Sequence, residues 1–530
     1  MWTERAALFI AASMPMSVWP LSGAAIAHPW LALVGTFCCA LLLATFPGRG
    51  LKLSLWTQTL AVPFSLGWMG SVSVTGYGPS NAALSALGVD SIREMSTALG
   101  LGITNPSFLV AALLSMSALI WAWIVIASRP IPKKRQNTTV NIIFLLALLP
   151  ASAPNMNGTA LHSLSDLSPP EIRNTVVWFS HVGIFKEAIA QGLDMAARGI
   201  SPTATVRSAK SAERRFRAFD GLAVFIIGES LRADALMVEG RGPWSDALSK
   251  RIQLGLGIRF SDACAGGNAT YTSVPRLLTA VDPADGIGAA RNPTILAFAK
   301  AAGAKTAYIM NHESWVVPES GHDFIEKTSS MEHPAFDDEA VTALEGFLRR
   351  SGTGPKAAVL HLYGQHFNYQ DRYPPQHFPP EPPELTVEQL EALRYGRAAE
   401  YGVKVLLDAA SVLDRQTEPA FLIFTSDHGE NLMLDHTGKR YHAGPVSGLN
   451  DTMVPALALW NRSFAESGRQ RILAKLISPS AIAHRDLANA WLHLLSGAPD
   501  AVVPGSKPMT WGSLDAGAGN AALDCRMLKP

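Results

Sequence analysis

The 530-residue chain reads as an α/β protein: an N-terminal five-helix transmembrane domain, then a soluble α/β domain with a central, mostly parallel sheet. Three observations predict this. First, only 16% of the residues are charged while 48% are hydrophobic, against about 25% charged in an average soluble protein. Second, the longest apolar stretches all precede residue 155. Third, beyond residue 216 short β-type apolar runs alternate with helical stretches, as in a sheet covered on both faces. The formal charge of +1, from 44 basic and 43 acidic residues, excludes a polybasic nucleic-acid binder and an acidic tail protein. Four cysteines exclude a disulfide-dense scaffold and a multi-cysteine zinc module.

The predicted spans are 6–26, 29–46, 53–76, 106–128 and 137–153. Most approach or exceed the roughly 20 residues that cross a bilayer, and they lack the polar face of a helix buried in a soluble domain. The last is the weakest, its unbroken apolar core running only from 142 to 149. No small-residue cleavage site follows the first span, which reads as an anchor. Arg49 and Lys52 lie between spans two and three, and Arg129, Lys133, Lys134 and Arg135 between spans four and five. The opposite side carries only Arg93 in its loops, so the positive-inside rule puts the N-terminus in the cytoplasm and everything after 155 outside it. Residues 1–154 then form the transmembrane domain, 155–215 a connecting segment and 216–530 the soluble α/β domain. Within the connector, Val176, Trp178, Phe179, Ile184, Phe185 and Ile189 mark an amphipathic helix, lying on the membrane surface or packed on the soluble domain. The Gly/Ala-rich tail 515–523 reads as a loop.

In the soluble domain the clearest strands are 222–227, 306–310, 357–360, 421–425 and 456–460. Ligands of such sheets collect at the carboxyl ends of the strands. There the sequence places Gly228-Glu229-Ser230, then His361 through His366, then Ser426-Asp427-His428-Gly429-Glu430, with His442 a dozen residues on. Each has an ordinary explanation alone, as a turn or a surface histidine. Together, Glu, Asp and His at one sheet edge make a site for zinc or manganese. Gly266-Gly267 precede Thr270, and Ser273-Val274-Pro275 reads as the start of a helix running through 276–281. Thr270 is then expected just ahead of a helix N-terminus, where free N–H groups and the dipole favour an alkoxide and a phosphate oxyanion; taken alone, the segment reads as a plain capping threonine.

These motifs, in this order, resemble the membrane-bound phosphoethanolamine transferases that modify bacterial lipopolysaccharide, a branch of the sulfatase/alkaline-phosphatase-like superfamily. The resemblance spans essentially the whole chain. It is carried by Gly228-Glu229-Ser230-Leu231-Arg232-Ala233-Asp234, Thr270 ahead of Ser273-Val274-Pro275, and His361-Leu362-Tyr363-Gly364-Gln365-His366 with Arg372-Tyr373-Pro374. Ser426-Asp427-His428-Gly429-Glu430, His442 and Val454-Pro455 complete it. It implies a sulfatase-like catalytic domain in the periplasm, on a multi-pass protein of the bacterial inner membrane. Glu229, Thr270, Asp427 and His428 would hold a zinc ion, with Thr270 as nucleophile. His366 and His442 would bind the phosphate or a second zinc and assist proton transfer; manganese remains an alternative ion. Glu430 and Asn311 would lie near the substrate, and Glu94 and Asp90 fall where the family has a polar–x3–Glu pattern beside the lipid headgroup. The donor would be phosphatidylethanolamine and the acceptor lipid A or the lipopolysaccharide core, the product resisting polymyxin; the protein would act as a monomer in membrane lipid, without nucleic acid.

Two departures stand out. The family encloses its nucleophile between disulfide-bonded cysteines, but here Cys264 lies upstream and Arg276 stands where the second would be; an oxidising compartment permits Cys264–Cys525. The substrate lysine of some members is replaced by Asn311-His312-Glu313-Ser314-Trp315. Ser273-Val274-Pro275-Arg276 puts its arginine one position too early for a formylglycine sulfatase. A phosphoglycerol/phosphoethanolamine transferase acting on a periplasmic glucan or other polymer, and a non-catalytic sulfatase-like regulator, are the rivals.

Overall fold

The computed structural model describes residues 2–17, scattered positions between 40 and 66, then 106–127, 218–236, 242–279, 293–311, 322–329, 335–435, 440–442, 447–476, 482–496, 509–510 and 523–528. The spans expected at 29–46 and 53–76 are described only at scattered positions. The span at 137–153, the helix at 176–189, Asp90, Glu94 and nearly all of the tail lie outside the described residues. The chain divides into two compact units, Met1–Arg198 and Gly199–Pro530.

In the first unit, α1 (Trp2–Ser17) packs against α2 (Pro106–Ala127). Among the described residues α2 is the one helix long and apolar enough to cross a membrane. Its small residues Ala111, Ser115, Ala118 and Ala122 are buried, whereas Leu113, Ile120 and Ile124 are 60%, 55% and 63% exposed. Small residues let helices approach closely where lipid supplies no hydrophobic drive. Trp123 donates its indole N–H to Thr59 Oγ1 at 2.8 Å and meets Trp56 edge-on.

The second unit contains, in order, β1 (Leu222–Gly228), α3 (Pro243–Gln253), β2 (Gly257–Arg259), β3 (Ala263–Cys264), α4 (Thr270–Thr279), α5 (Ile295–Ala301), β4 (Lys305–Met310), β5 (Phe324–Lys327), α6 (Asp338–Ser351) and β6 (Lys356–His361). There follow α7 (Val387–Asp414), β7 (Ala420–Ser426), β8 (Met453–Val454), β9 (Ala456–Trp460), β10 (Ile482–Ala483) and α8 (His484–Ser496). Among the described residues, seven strands form the main sheet in the order β2-β9-β7-β1-β6-β4-β5. The sheet is parallel except for β9, which runs against both of its neighbours.

Alternation along β1 shows why its run is apolar throughout. Ala223, Phe225 and Ile227 join the core under α4, α5 and α8, with Leu277, Ile295 and Trp491. Leu222, Val224 and Ile226 face the other way, toward Leu248, Leu344 and Leu406 of α3, α6 and α7. Truncating Phe225 to alanine, at 0% exposure, costs about 3–5 kcal/mol. α7 starts at a capping box in which Thr386 and Gln389 bond each other's backbone N–H.

A smaller sheet, in the order β10-β3-β8, forms separately. Cys264 of β3 is disulfide-bonded to Cys525, with Cα atoms 6.1 Å apart. One expectation is corrected: Thr270 is the first residue of α4, and Pro275 lies inside the helix rather than at its start. The N–H groups of Thr272 and Ser273 both bond Ala269 O, so the first turn closes before the proline.

Candidate functional site

The parallel register brings the strand ends together. Asp427 N–H bonds Gly228 O at 2.9 Å and Leu362 N–H bonds Ile227 O at 2.8 Å, so the residues after β1, β6 and β7 emerge side by side. Glu229 follows β1 directly, and Ser230 then takes a left-handed φ of 57°. That conformation costs a non-glycine residue roughly 1–3 kcal/mol; here it points Ser230 N–H at Asp427 Oδ1 (3.2 Å) and Ser230 Oγ–H at Glu229 Oε1 (2.8 Å).

Thr270 reaches this edge from the other side. Its hydroxyl donates to Glu229 Oε2 at 2.9 Å and lies 3.2 Å from His428 Nε2. His428 Nε2 is also 3.2 Å from Glu229 Oε1 and 3.4 Å from Asp427 Oδ2. The opposite ring nitrogen, Nδ1, is 2.8 Å from Gly429 O, an acceptor, so Nδ1 carries a proton and Nε2 is the atom offered to the cluster. Glu229, Asp427 and His428 have no exposed surface. Burial disfavours the charged imidazole, but the Asp427 and Glu229 carboxylates outweigh it and push His428 up to about 10.

A second arm completes the edge. His442 Nδ1 lies 3.3 Å from both Glu430 oxygens and 3.4 Å from Ser230 Oγ. Its ring centre is 4.2 Å from that of His428 and 5.6 Å from that of His366. Burial holds the Glu430 carboxyl well above the ordinary carboxylate range. His366 stacks between Tyr363 and Phe367, and the Arg372 guanidinium covers Tyr363 while donating to His366 O at 3.0 Å. His366 Nδ1 lies 3.0 Å from Phe367 O, so Nδ1 carries the proton and Nε2 is the nitrogen that would ligate a metal. The loop carrying His366 crosses Glu229 closely: a Cβ on Gly364 would lie 2.7 Å from both Glu229 N and O, and φ there is +46°. Glycine alone fits.

Two ligand sets result. Glu229, Asp427 and His428 each offer an atom within 4.8 Å of the others, and so do Glu229, His366 and His442. Glu229 belongs to both. The donors are carboxylate oxygens and imidazole nitrogens, with a hydroxyl beside them, which suits zinc or manganese. Two wholly buried carboxylates 3.2 and 3.4 Å from one imidazolium need further positive charge, and a divalent cation would supply it. The donor set therefore fits a metal.

Asn311, expected near the substrate, follows β4 directly. Its amide donates to Ala335 O (3.1 Å) and Asp337 Oδ1 (2.9 Å) and accepts from Thr328 Oγ1 (3.1 Å). Asp337 in turn accepts the N–H groups of Tyr363 and Gly364 at 2.8 Å each. Asn311 and Asp337 thus brace the His366 loop from behind. Asp337 was missed because, from its sequence, it is only an acidic residue before a helix.

The sulfatase family model matches residues 222–498, over half of the chain. Among solved structures, the chain is similar to the integral membrane lipooligosaccharide phosphoethanolamine transferase A (EptA) of Neisseria meningitidis. The TM-score is 0.66 at 16% identity, over 93% of this chain and 95% of that one. It is also similar to the C-terminal periplasmic domain of EptC from Escherichia coli, solved in complex with zinc, with TM-score 0.49 and 18% identity over 60% of this chain and 94% of that one. No match is found among curated proteins. The likeness to the Neisseria protein is one of fold.

Proposed function

The chain belongs to the sulfatase family, and from that premise we propose that it is a zinc-dependent transferase moving phosphoethanolamine from phosphatidylethanolamine to lipid A or the lipopolysaccharide core. The observation that carries this reading is the Thr270 hydroxyl, seated at the first residue of α4 and in contact with both Glu229 and His428. A hydroxyl at a helix N-terminus, among buried anionic ligands, is arranged for attack on phosphorus rather than for capping.

A zinc ion held by Glu229, Thr270, Asp427 and His428 would lower the hydroxyl pKa and polarise the phosphoryl oxygens. Thr270 Oγ1 passes its proton to Glu229 Oε2, to which it already donates, and bonds to the donor phosphorus as the bond to the diacylglycerol oxygen breaks; His366 or His442 delivers the proton that oxygen needs. An acceptor oxygen then attacks the phosphoethanolamine-threonine ester and restores Thr270. Glu430 keeps His442 oriented. His366 and His442 also form, with Glu229, the set that would take a second ion.

The same reading gives the protein an inner-membrane location, with five spans, a cytoplasmic N-terminus and a periplasmic catalytic domain. The exposed apolar surface of α2 and the fold match to an integral membrane transferase support it. In this reading residues 1–154 make the membrane domain, 155–215 the connector and 216–530 the catalytic domain. An acceptor embedded in the same membrane surface as the donor raises the local concentration of both, which favours lipid A over a soluble glucan.

The test is incubation of full-length protein with headgroup-labelled phosphatidylethanolamine, followed by mass spectrometry of the Thr270 peptide and of lipid A, core and glucan. A labelled Thr270 peptide and a phosphoethanolamine increment on lipid A are expected. A phosphoglycerol increment would overturn the donor, and an increment confined to the glucan the acceptor.

A further inference from the structure

We infer that His484 is a positioning residue of this site, tying the turn that carries Thr270 to the strand end that carries Asp427 and His428. The inference rests on the reading of Thr270 as nucleophile. It starts from topology. β10 pairs with β3 in parallel, Ala483 opposite Cys264, so the residue after β10 arrives beside the turn that leaves β3 for Thr270. That residue is His484, first in α8 and 3% exposed.

Its two ring nitrogens address different segments. Nδ1 accepts the Gly266 N–H at 3.3 Å and lies 3.4 Å from Ser273 Oγ, which gives its own proton to Asp427 O at 2.5 Å. Because a backbone N–H can only donate, Nδ1 holds the lone pair and Nε2 the proton. Nε2 lies 3.4 Å from Thr425 Oγ1, whose own proton goes to Ser426 O at 3.3 Å, so that oxygen accepts from Nε2–H. Burial keeps the ring neutral, pulling it down to about 3, so the tautomer stays fixed at working pH.

The ring therefore spans three pieces: the turn four residues before Thr270, the first turn of α4 through Ser273, and the end of β7. Gly267 beside it fits only as glycine, since a Cβ would fall 2.2 Å from Thr272 Oγ1. A tight turn of this kind has no slack to absorb a lost anchor. Without His484, Thr270 and the Asp427–His428 pair would no longer share one rigid frame, and groups that act together on a metal lose affinity when their outer contacts go.

Asparagine and glutamine separate this role from mere core filling. Asparagine puts an amide oxygen near the Nδ1 position and keeps the acceptor for Gly266; glutamine puts an amide nitrogen near Nε2 and keeps only the donor toward Thr425. Detergent-solubilised full-length protein and its His484→Ala, His484→Asn and His484→Gln variants are compared by zinc competition with a chelator, by thermal melting, and by diacylglycerol release at saturating zinc. His484→Ala and His484→Gln are expected to lose about 10–100-fold in zinc affinity and in kcat, with KM unchanged. His484→Asn recovers most of both, even where its melting temperature equals that of His484→Gln. Zinc affinity unchanged in His484→Ala, or asparagine no better than glutamine, overturns the inference. The expected zinc order with no diacylglycerol release from wild type leaves it standing and overturns the donor reading instead. A wild-type chain that binds no zinc overturns the metal reading and the inference with it.

Discussion

Raising the pH of metal-stripped protein from about 6 to about 9 while measuring zinc affinity reads the electrostatics of the site. His428 Nε2 is 3.2 Å from Glu229 Oε1 and 3.4 Å from Asp427 Oδ2, and these carboxylates hold its proton up to about 10 against the opposing effect of burial. At neutral pH the ring is thus almost wholly protonated without metal, and zinc must displace that proton to use Nε2. The logarithm of the zinc association constant should rise by about one for each pH unit between about 7 and 9, about 100-fold or about 2.7 kcal/mol in all. An imidazole at the ordinary value of about 6.5 would give a nearly flat line over the same interval. Chelator competition gives the slope. Calorimetry in buffers of different ionisation enthalpy gives the proton count, expected near one per zinc at neutral pH. A flat affinity above neutral pH with no proton released would refute the reasoning. The sign for stability follows from the same raised value. Without metal, the imidazolium–carboxylate contact contributes fully below about pH 6.5 and is lost as the pH rises through about 10.

Thr270→Ala should cut headgroup transfer by about a thousandfold or more and leave no labelled peptide, while melting shifts little; turnover near wild type would remove Thr270 from the nucleophile role. Asp427→Asn should lose zinc and activity together, read by metal analysis of the purified variant against wild type. Cys525→Ser opens the disulfide to Cys264 and should lower stability by about 2–5 kcal/mol, seen as a fall in melting temperature that reducing agent reproduces in wild type. Reporter fusions after residues 50 and 132 should read cytoplasmic and those after 90 and 300 periplasmic; an exported reporter at 132 would reverse the charge argument.

Buried parallel strands are nearly continuous apolar runs, and this made β1, β4, β6, β7 and β9 legible to within a residue or two at each end. The sequence also carried Glu229 and Asp427-His428 at strand ends, because polar residues following such a run have few places to go except the sheet edge. Short strands escaped. β3, β8 and β10 are two residues each, too short for any period, yet their pairing is what delivers His484 and Cys264 to the nucleophile turn. The start of α4 was misplaced for a related reason: proline marks a first turn strongly in sequence, but the bonds from Thr272 and Ser273 to Ala269 had already closed one. Asn311 shows the same limit from the other side. Nothing in its sequence neighbourhood announces the bonds to Ala335, Thr328 and Asp337 that make it a brace. Periodicity records how deeply a residue is buried, since that is local along the chain. Which buried polar groups meet depends on contacts between residues 40 to 220 positions apart, such as Thr270 with Glu229, Ser230 with Asp427 and His484 with Gly266, and those were decided only when the sheet closed its order.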